Sequence, residues 1–114
     1  MRPAPILLAL AAVVAACQIS TKPLPFQFTM QVNRTSATTA DTIGVLIDAT
    51  GGRLINMTVD FGDGEVDAFP TGGARSAQAL FPHKYTAPGD FKIKATVTDG
   101  DEGDRSDSLV VHIQ

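Results

Sequence analysis

The sequence Val-Asp-Phe-Gly-Asp-Gly at residues 59–64 is predicted to be the end of a β-strand that runs directly into a turn. Side chains alternate between the two faces of a strand, so Val59 and Phe61 share one face. Asp63-Gly64 is a strong turn dipeptide, and the two glycines of the stretch supply backbone freedom that other residues lack. This stretch therefore marks a strand end near the middle of the sequence.

Alternating apolar and polar residues predict further strands on both sides of this turn. The pattern is unbroken at residues 26–33 and at residues 91–99, while residues 50–52, 70–73 and 82–89 are predicted to be turns or corners. Residues 76–81 fit either a strand or a turn of helix, and residues 34–41 are predicted to be a loop. The predicted strands are residues 26–33, 42–49, 53–61, 65–69, 76–81, 91–99 and 107–113.

Short strands separated by turn signals, without a helical period after the leader, indicate an all-β protein. We predict an immunoglobulin-like β-sandwich of about seven strands. One core face of the third strand is predicted to carry Ile55, Met57, Val59 and Phe61. Much of the buried area is expected to come from the phenylalanines Phe26, Phe28, Phe61, Phe81 and Phe91.

Two linked motifs resemble those of the PKD domain, the polycystic-kidney-disease repeat. The first is Asp60-Phe61-Gly62-Asp63-Gly64, which usually follows a Trp in that family; Val59 stands in its place. The second comprises His83-Lys84-Tyr85, then Gly89 two residues before Phe91, and a hydrophobic alternation that ends in Asp99. The resemblance covers residues 26–113. It implies a PKD-type sandwich, placement outside the cell or in its envelope, and contact with proteins or polysaccharides.

The first residues have the pattern of an export signal. Arg2 supplies a positive charge, and residues 6–16 form an apolar run that is too short for a permanent membrane span. We therefore predict a signal peptide at residues 1–16, a lipidated Cys and tether at residues 17–25, and a sandwich domain at residues 26–114.

Cys17 is the only cysteine of the chain and directly follows Val14-Ala15-Ala16. This arrangement resembles a bacterial lipobox, in which cleavage precedes the cysteine and its thiol is acylated, for example with palmitate. The alternative is an ordinary secretory signal that leaves a free thiol. With the lipobox, the protein is expected to be exported and lipid-anchored at the cell membrane or outer membrane, in the periplasm or outside the cell.

The charge of the chain argues against nucleic acid as a partner. The formal net charge is −3 at pH 7 and becomes more negative once Arg2 leaves with the signal peptide. A negatively charged surface without a basic cluster does not attract the phosphate backbone of a nucleic acid.

Two acidic stretches are candidates for a calcium site. Asp60, Asp63 and Glu65 surround the central turn, but turn chemistry explains them without a metal, because Asp side chains accept hydrogen bonds from nearby backbone N–H groups. Asp99, Asp101 and Asp104 carry more charge in less space, and this loop is the first choice for a cation. Its alternative is a solvated hairpin loop with no cofactor.

His83 and Tyr85 suggest acid–base chemistry at first sight. The sequence assigns them no Ser, Cys or carboxylate partner, and the other histidine, His112, lies on the last strand. Tyr85 precedes a long strand and follows a Pro corner, which resembles a tyrosine corner with a hydroxyl bonded back to the backbone. We therefore predict structural roles and no enzymatic activity.

The sequence predicts a membrane-anchored lipoprotein with a single PKD-like domain that contacts an envelope protein or polysaccharide. The alternative is a structural subunit of an envelope complex without a ligand of its own. Loops and outward sheet faces are the expected contact surfaces, for example Lys92, Lys94, Thr96 and Thr98.

Overall fold

The computed structural model describes residues 25–114, which fold entirely into strands, turns and loops. The predicted signal peptide, Cys17 and nearly all of the tether lie outside the described residues. No helix within residues 25–114 is long and apolar enough to cross a membrane. The six strands are β1 (Gln27–Val32), β2 (Ser36–Ala37), β3 (Ile43–Asp60), β4 (Val66–His83), β5 (Gly89–Asp99) and β6 (Gly103–Ile113).

The long strands β3 and β4 run through both layers of a sandwich. In the first layer, residues 43–50 of β3 pair with β1 on one side and with residues 76–83 of β4 on the other. In the second layer, residues 54–60 of β3 pair with the beginning of β4 and with β5. β6 pairs antiparallel with β5, and β2 adds a short parallel contact to the end of β6. The prediction of an immunoglobulin-like all-β sandwich is confirmed.

The predicted turn at residues 50–52 is wrong, because β3 continues through it. The strand changes layer by irregular pairing on either side of Leu54, where extra residues shift the register against β4. The shift also changes which side chains near Leu54 point into the core. Leu54 is fully buried and Ile55 is 38% exposed, so the prediction that Ile55 belongs to the core is wrong.

The two strands predicted at residues 65–69 and 76–81 are one strand, β4, and the helical alternative for residues 76–81 is wrong. The interruption at residues 70–73 survives as a bulge, since Asn56 pairs with Pro70 while Leu54 pairs with Ala74. Gly72 and Gly73 have positive φ angles of 61° and 85°, which only glycine adopts readily. The region 34–41, predicted to be a loop, contains the two-residue strand β2. The two fusions reduce the seven predicted strands to five, and β2 brings the number within residues 25–114 to six.

The core lies between the two layers, and its residues fall between Phe26 and Ile113. Val59 is fully buried, as the sequence predicts, at the position where a Trp is usual in the family. Phe61 and Phe81 are also buried, whereas Phe28 and Phe91 are partly buried and pack against the core. The remaining buried apolar residues are Ala37, Ile43, Val45, Ile47, Ala49, Leu54, Met57, Tyr85, Ile93, Ala95, Val97 and Val111.

Candidate functional site

The turn at residues 60–64 is held together by its own aspartates. Asp60 Oδ1 accepts a hydrogen bond from the backbone N–H of Gly62 at 2.9 Å, and Asp63 Oδ1 accepts one from Glu65 at 3.1 Å. The N–H of Phe61 donates to the carbonyl oxygen of Glu65 at 3.0 Å. Asp60 and Asp63 thus each commit one carboxylate oxygen to the turn, as turn chemistry predicts.

Gly62 brings this turn into contact with β5. Its φ angle is +84°, and a Cβ atom built there would lie 2.6 Å from the carbonyl oxygen of Lys92. Any other residue would therefore clash with the backbone as well as adopt an unfavourable φ angle. Gly64, two residues further on, has a φ angle of +97° but open space around the same position.

His83, at the end of β4, covers the turn. Its ring stacks on Phe61 with centroids 4.1 Å apart, and its Nε2 lies 2.7 Å from Asp63 Oδ2. The prediction that His83 has no carboxylate partner is wrong, because the fold brings together two residues that are 20 positions apart in sequence. Burial pushes the pKa of Asp63 upward, but the hydrogen bonds from His83 and from the Glu65 backbone outweigh it and hold the pKa below its ordinary value.

Tyr85 ties the same turn to β5. Its hydroxyl donates a hydrogen bond of 2.8 Å to the carbonyl oxygen of Phe61, and its ring stacks on Phe91 with centroids 4.4 Å apart. The predicted bond from hydroxyl to backbone is present, although it spans 24 residues instead of closing a local corner. Burial, followed by the charges of Asp63 and Asp60, raises the pKa of Tyr85 to about 12. The hydroxyl therefore remains a donor at every physiological pH.

Gly89 opens β5 beside this cluster, with a φ angle of +147° and the Phe91 ring 3.6 Å from the position of a Cβ atom. The aromatic stack of Phe61, His83, Tyr85 and Phe91 thus joins the central turn, the end of β4 and the start of β5. The motif residues singled out from the sequence meet in one place, and their contacts are those of a structural junction.

The junction contains a His–carboxylate pair but not the rest of a catalytic site. Within residues 25–114, no hydroxyl or thiol group is hydrogen-bonded to His83 or His112. His112 pairs with Asp90 on the exposed surface near the end of β6. Nucleophilic catalysis requires a nucleophile within reach of a base, and neither histidine has one as a hydrogen-bond partner within residues 25–114.

Asp99, the first of the three predicted cation ligands, is buried and accepts hydrogen bonds from the backbone. Only 2% of its surface is exposed to solvent. Oδ1 accepts the N–H of Arg53 at 2.8 Å, and Oδ2 accepts those of Asp101 at 3.1 Å and Glu102 at 3.0 Å. The hydrogen bond from Arg53 is the main reason that the pKa of Asp99 lies below its ordinary value, and those from Asp101 and Glu102 add to it against the effect of burial. Asp99 therefore connects the β5–β6 hairpin to the irregular part of β3.

The other two predicted ligands point to different partners. Asp101 lies 3.6 Å from the Arg53 guanidinium, and Asp104 accepts a 2.8 Å hydrogen bond from the Thr98 hydroxyl. Across residues 25–114, no group of three or more His, Cys, Asp or Glu side chains is placed to hold a metal ion. The described structure does not bring Asp99, Asp101 and Asp104 together as ligands.

The outward face of β5 and β6 is polar and open. Lys92 and Lys94 are exposed, and together with Ser106, Asp107 and Ser108 they line a shallow depression of about 240 Å³. Thr96 and Thr98 are half-buried, and the Thr96 hydroxyl lies 2.9 Å from that of Ser106. Of the four residues expected to offer contacts, the two lysines are therefore the more accessible.

A two-layer β-sandwich with a structural turn and aromatic junction defines an immunoglobulin-like module. The sequence profile of the PKD domain family matches residues 20–113, and the chain belongs to this family. PKD domains are known as modules for protein interaction and are generally not catalytic.

Two of the solved structures that match this chain illustrate the shared fold. The PKD domain of an M14-like peptidase from Thermoplasmatales archaeon SCGC AB-540-F20 is 18% identical, with a TM-score of 0.66 over 81% of this chain and 98% of that one. The CARDB domain of a Pyrococcus furiosus protein, solved in complex with di-metal ions, is 14% identical, with a TM-score of 0.54 over 77% of this chain and 93% of that one. The comparison with curated proteins finds no match.

Proposed function

We propose that this protein is a lipid-anchored lipoprotein of the cell envelope that holds a single PKD domain close to the membrane for interaction with another envelope protein. The observation that carries the proposal is the position of Cys17. It is the only cysteine of the chain, and it stands directly after Val14-Ala15-Ala16 and an apolar run of signal-peptide length. An exported protein with one cysteine cannot use it for an internal disulfide.

The domain itself supports an interaction role over catalysis. Its histidines are paired with carboxylates, and its motif residues support the fold through stacking and backbone hydrogen bonds. Residues 18–25 between the lipid and the first strand span at most about 25–30 Å when extended. The partner is therefore expected to lie close to the same membrane.

Lipid labelling tests the anchor. Cells that express the full chain are grown with a radioactive or clickable fatty acid, beside cells that express Cys17→Ala. We expect label on the unaltered chain and none on the variant. An unlabelled wild-type chain would overturn the lipoprotein proposal and would leave an ordinary secreted domain with a free thiol.

Mild crosslinking in the envelope, followed by purification of the full chain, tests the interaction. A defined protein, captured by the wild type and lost when Lys92 and Lys94 are both changed to Glu, supports binding through the outward face of β5. Capture that survives this double change favours the alternative of a structural subunit held by other surfaces. If the chain is retained on purified cell-wall polysaccharide and captures no protein, its ligand is a polysaccharide and not a protein.

A further inference from the structure

The edge of β4 in the first layer exposes backbone groups without a neighbouring strand. Within residues 25–114, β4 pairs with β3 on one side and with no strand on the other. An edge of this kind presents a row of N–H and C=O groups to any extended chain that approaches.

The hydrogen bonds of Gly44 show which groups of β4 face outward. Gly44 accepts a hydrogen bond from the N–H of Asn33 at 3.1 Å and donates its own N–H to Asn33 Oδ1 at 2.9 Å, so its peptide groups face the β1 side. Backbone N–H and C=O groups alternate in direction along a strand, so those of Val45 and Ile47 point toward β4. The N–H and C=O groups of their register partners Phe81 and Ala79 point toward β3.

It follows that the alternate residues Ser76, Gln78 and Leu80 direct their N–H and C=O groups toward the open edge. Pro82 belongs to the same set, and its missing N–H therefore costs no bond to β3. The side chain of Leu80 is 64% exposed on the outer surface of this layer. The edge thus offers three donors and four acceptors beside an exposed apolar side chain.

The two halves of this edge differ in their protection against pairing. The half in the second layer contains Asp67 and Pro70 and ends in the Gly72-Gly73 bulge, which are features that block strand addition. Residues 74–81 contain one charged residue, Arg75, and no proline. The start of β1, by comparison, lies near β6 of the other layer at Gln27 and Phe28. The first half of β6 carries Asp104, Arg105 and Asp107, and its end is covered by β2.

We propose that residues 74–82 of β4 pair antiparallel with the same segment of a second copy of this chain, with Gln78 at the two-fold axis. A second β4 presents the same alternation of outward N–H and C=O groups in reverse, so both rows can be satisfied at once. In this register Ser76 faces Leu80 of the second copy, and Ala77 faces Ala79. No like charges are opposed, because Arg75 falls opposite Phe81.

The charge distribution favours a second copy at this edge. The chain is acidic, with a formal net charge of −3, yet residues 74–82 contain no acidic side chain. Two copies that meet here bring together strand segments without an acidic side chain, so no carboxylates are opposed. Strand addition of this length buries less than a standard interface, so we expect a weak and concentration-dependent dimer.

Analytical ultracentrifugation of residues 25–114 tests the pairing, since this segment contains the core that extends from Phe26 to Ile113 and lacks cysteine. We expect the mean mass to rise from monomer toward dimer between about 10 μM and about 1 mM. Gln78→Pro removes one outward N–H without touching the bonds to β3 and should weaken the dimer by at least about tenfold. If this variant does not melt cooperatively, Gln78→Lys, which opposes two like charges at the axis, takes its place.

Cysteine crosslinking tests the register. Directly opposed residues of a hydrogen-bonded pair lie about 5.5 Å apart at Cα, within the range of a disulfide. Gln78→Cys should therefore crosslink with itself under mild oxidation. Ser76→Cys should crosslink only when mixed with Leu80→Cys, and Val110→Cys, on the exposed face of β6, serves as the random-collision control.

A monomer throughout the concentration range, or a dimer that persists in the Gln78 variants, would overturn the proposal. So would crosslinking of Gln78→Cys at the rate of the Val110→Cys control. The pairing goes beyond the proposed function and is independent of it, because these experiments do not involve Cys17 or an envelope partner. Loss of the dimer would leave the results of lipid labelling and of crosslinking in the envelope unchanged.

Discussion

The Tyr85 hydroxyl donates a 2.8 Å hydrogen bond to the carbonyl oxygen of Phe61, across 24 residues of sequence. Phe61 is the buried residue of the central turn, and Tyr85 is 1% exposed. The bond therefore joins the end of β3 to the corner that precedes β5. His83 adds a second connection to the same turn through Asp63.

Tyr85→Phe should destabilise the domain without changing its fold. The ring and its stacking on Phe91 are retained, but the carbonyl oxygen of Phe61 loses its buried donor. A buried group left without a partner costs about 1–3 kcal/mol, which corresponds to a fall in Tm of roughly 4–24 °C for a domain of this size. Thermal unfolding followed by circular dichroism measures the change. An unaltered Tm would show that water or another group satisfies this carbonyl.

His83→Ala tests the second connection. The substitution removes the ring that stacks on Phe61 and the partner of Asp63, whose side chain is only 18% exposed. We expect a loss of about 1–3 kcal/mol in urea unfolding. His112→Ala is the matched control, because its pair with Asp90 lies on the exposed surface, and its effect should stay within about 0.5 kcal/mol. Equal losses in the two variants would contradict the structural role of the junction.

Gly62 and Gly64 form a matched pair of substitutions. Both have positive φ angles, but a Cβ atom at Gly62 would lie 2.6 Å from the Lys92 carbonyl oxygen, whereas Gly64 has open space. Gly64→Ala should cost about 1–2 kcal/mol for the left-handed backbone alone. Gly62→Ala should cost at least about 1–2 kcal/mol more, because the turn must move away from β5. Equal urea midpoints would show that the turn does not press against β5.

The alternation of side chains was sufficient to predict the sandwich and much of its core. Phe26, Phe61 and Phe81 are buried as expected, and the motif at residues 60–64 is the turn that its Asp and Gly residues predict. These features depend on near neighbours in sequence. Strand periodicity and turn chemistry are local properties, so a single sequence reveals them.

Contacts between distant residues explain what sequence reasoning missed. Gly51-Gly52 resembles a chain reversal, but the N–H of Arg53 is bonded to Asp99, 46 residues away, and β3 continues. The pair of Asp63 and His83 likewise depends on the fold. The sequence does contain a signal for the contact between Arg53 and Asp99. It is the ending of β5 in Val97-Thr98-Asp99, which is part of the family pattern.

Val59→Asp should prevent folding. Val59 has no solvent exposure and belongs to the apolar core, so a carboxylate in its place would be removed from water. An unpaired buried charge costs several kcal/mol, which is comparable with the whole stability of a small domain. Val110→Asp is the control, because Val110 is 55% exposed and should tolerate the change within about 0.5 kcal/mol. A soluble Val59→Asp variant that melts cooperatively would show that the register of β3 is wrong.

Asp99 is expected to stabilise the domain in a pH-dependent manner. Its pKa lies below the ordinary value of 3.8, mainly because the ionised carboxylate accepts the N–H of Arg53 and, in addition, those of Asp101 and Glu102. The unfolded chain thus binds a proton more readily than the folded one. The stabilisation is therefore fully present above about pH 4 and is lost as the pH falls through the lower, folded pKa.

Asp99→Asn should accordingly lower the urea midpoint at pH 7, because an amide cannot replace both acceptor oxygens. The difference from the wild type should shrink as the pH falls below 3.8, where the wild-type carboxylate itself becomes protonated. Asp101→Asn is the control, because that side chain is 63% exposed and should change the midpoint little at any pH. A difference between Asp99→Asn and wild type that stays constant from pH 7 to about pH 2 would show that the charge of Asp99 does not stabilise the fold.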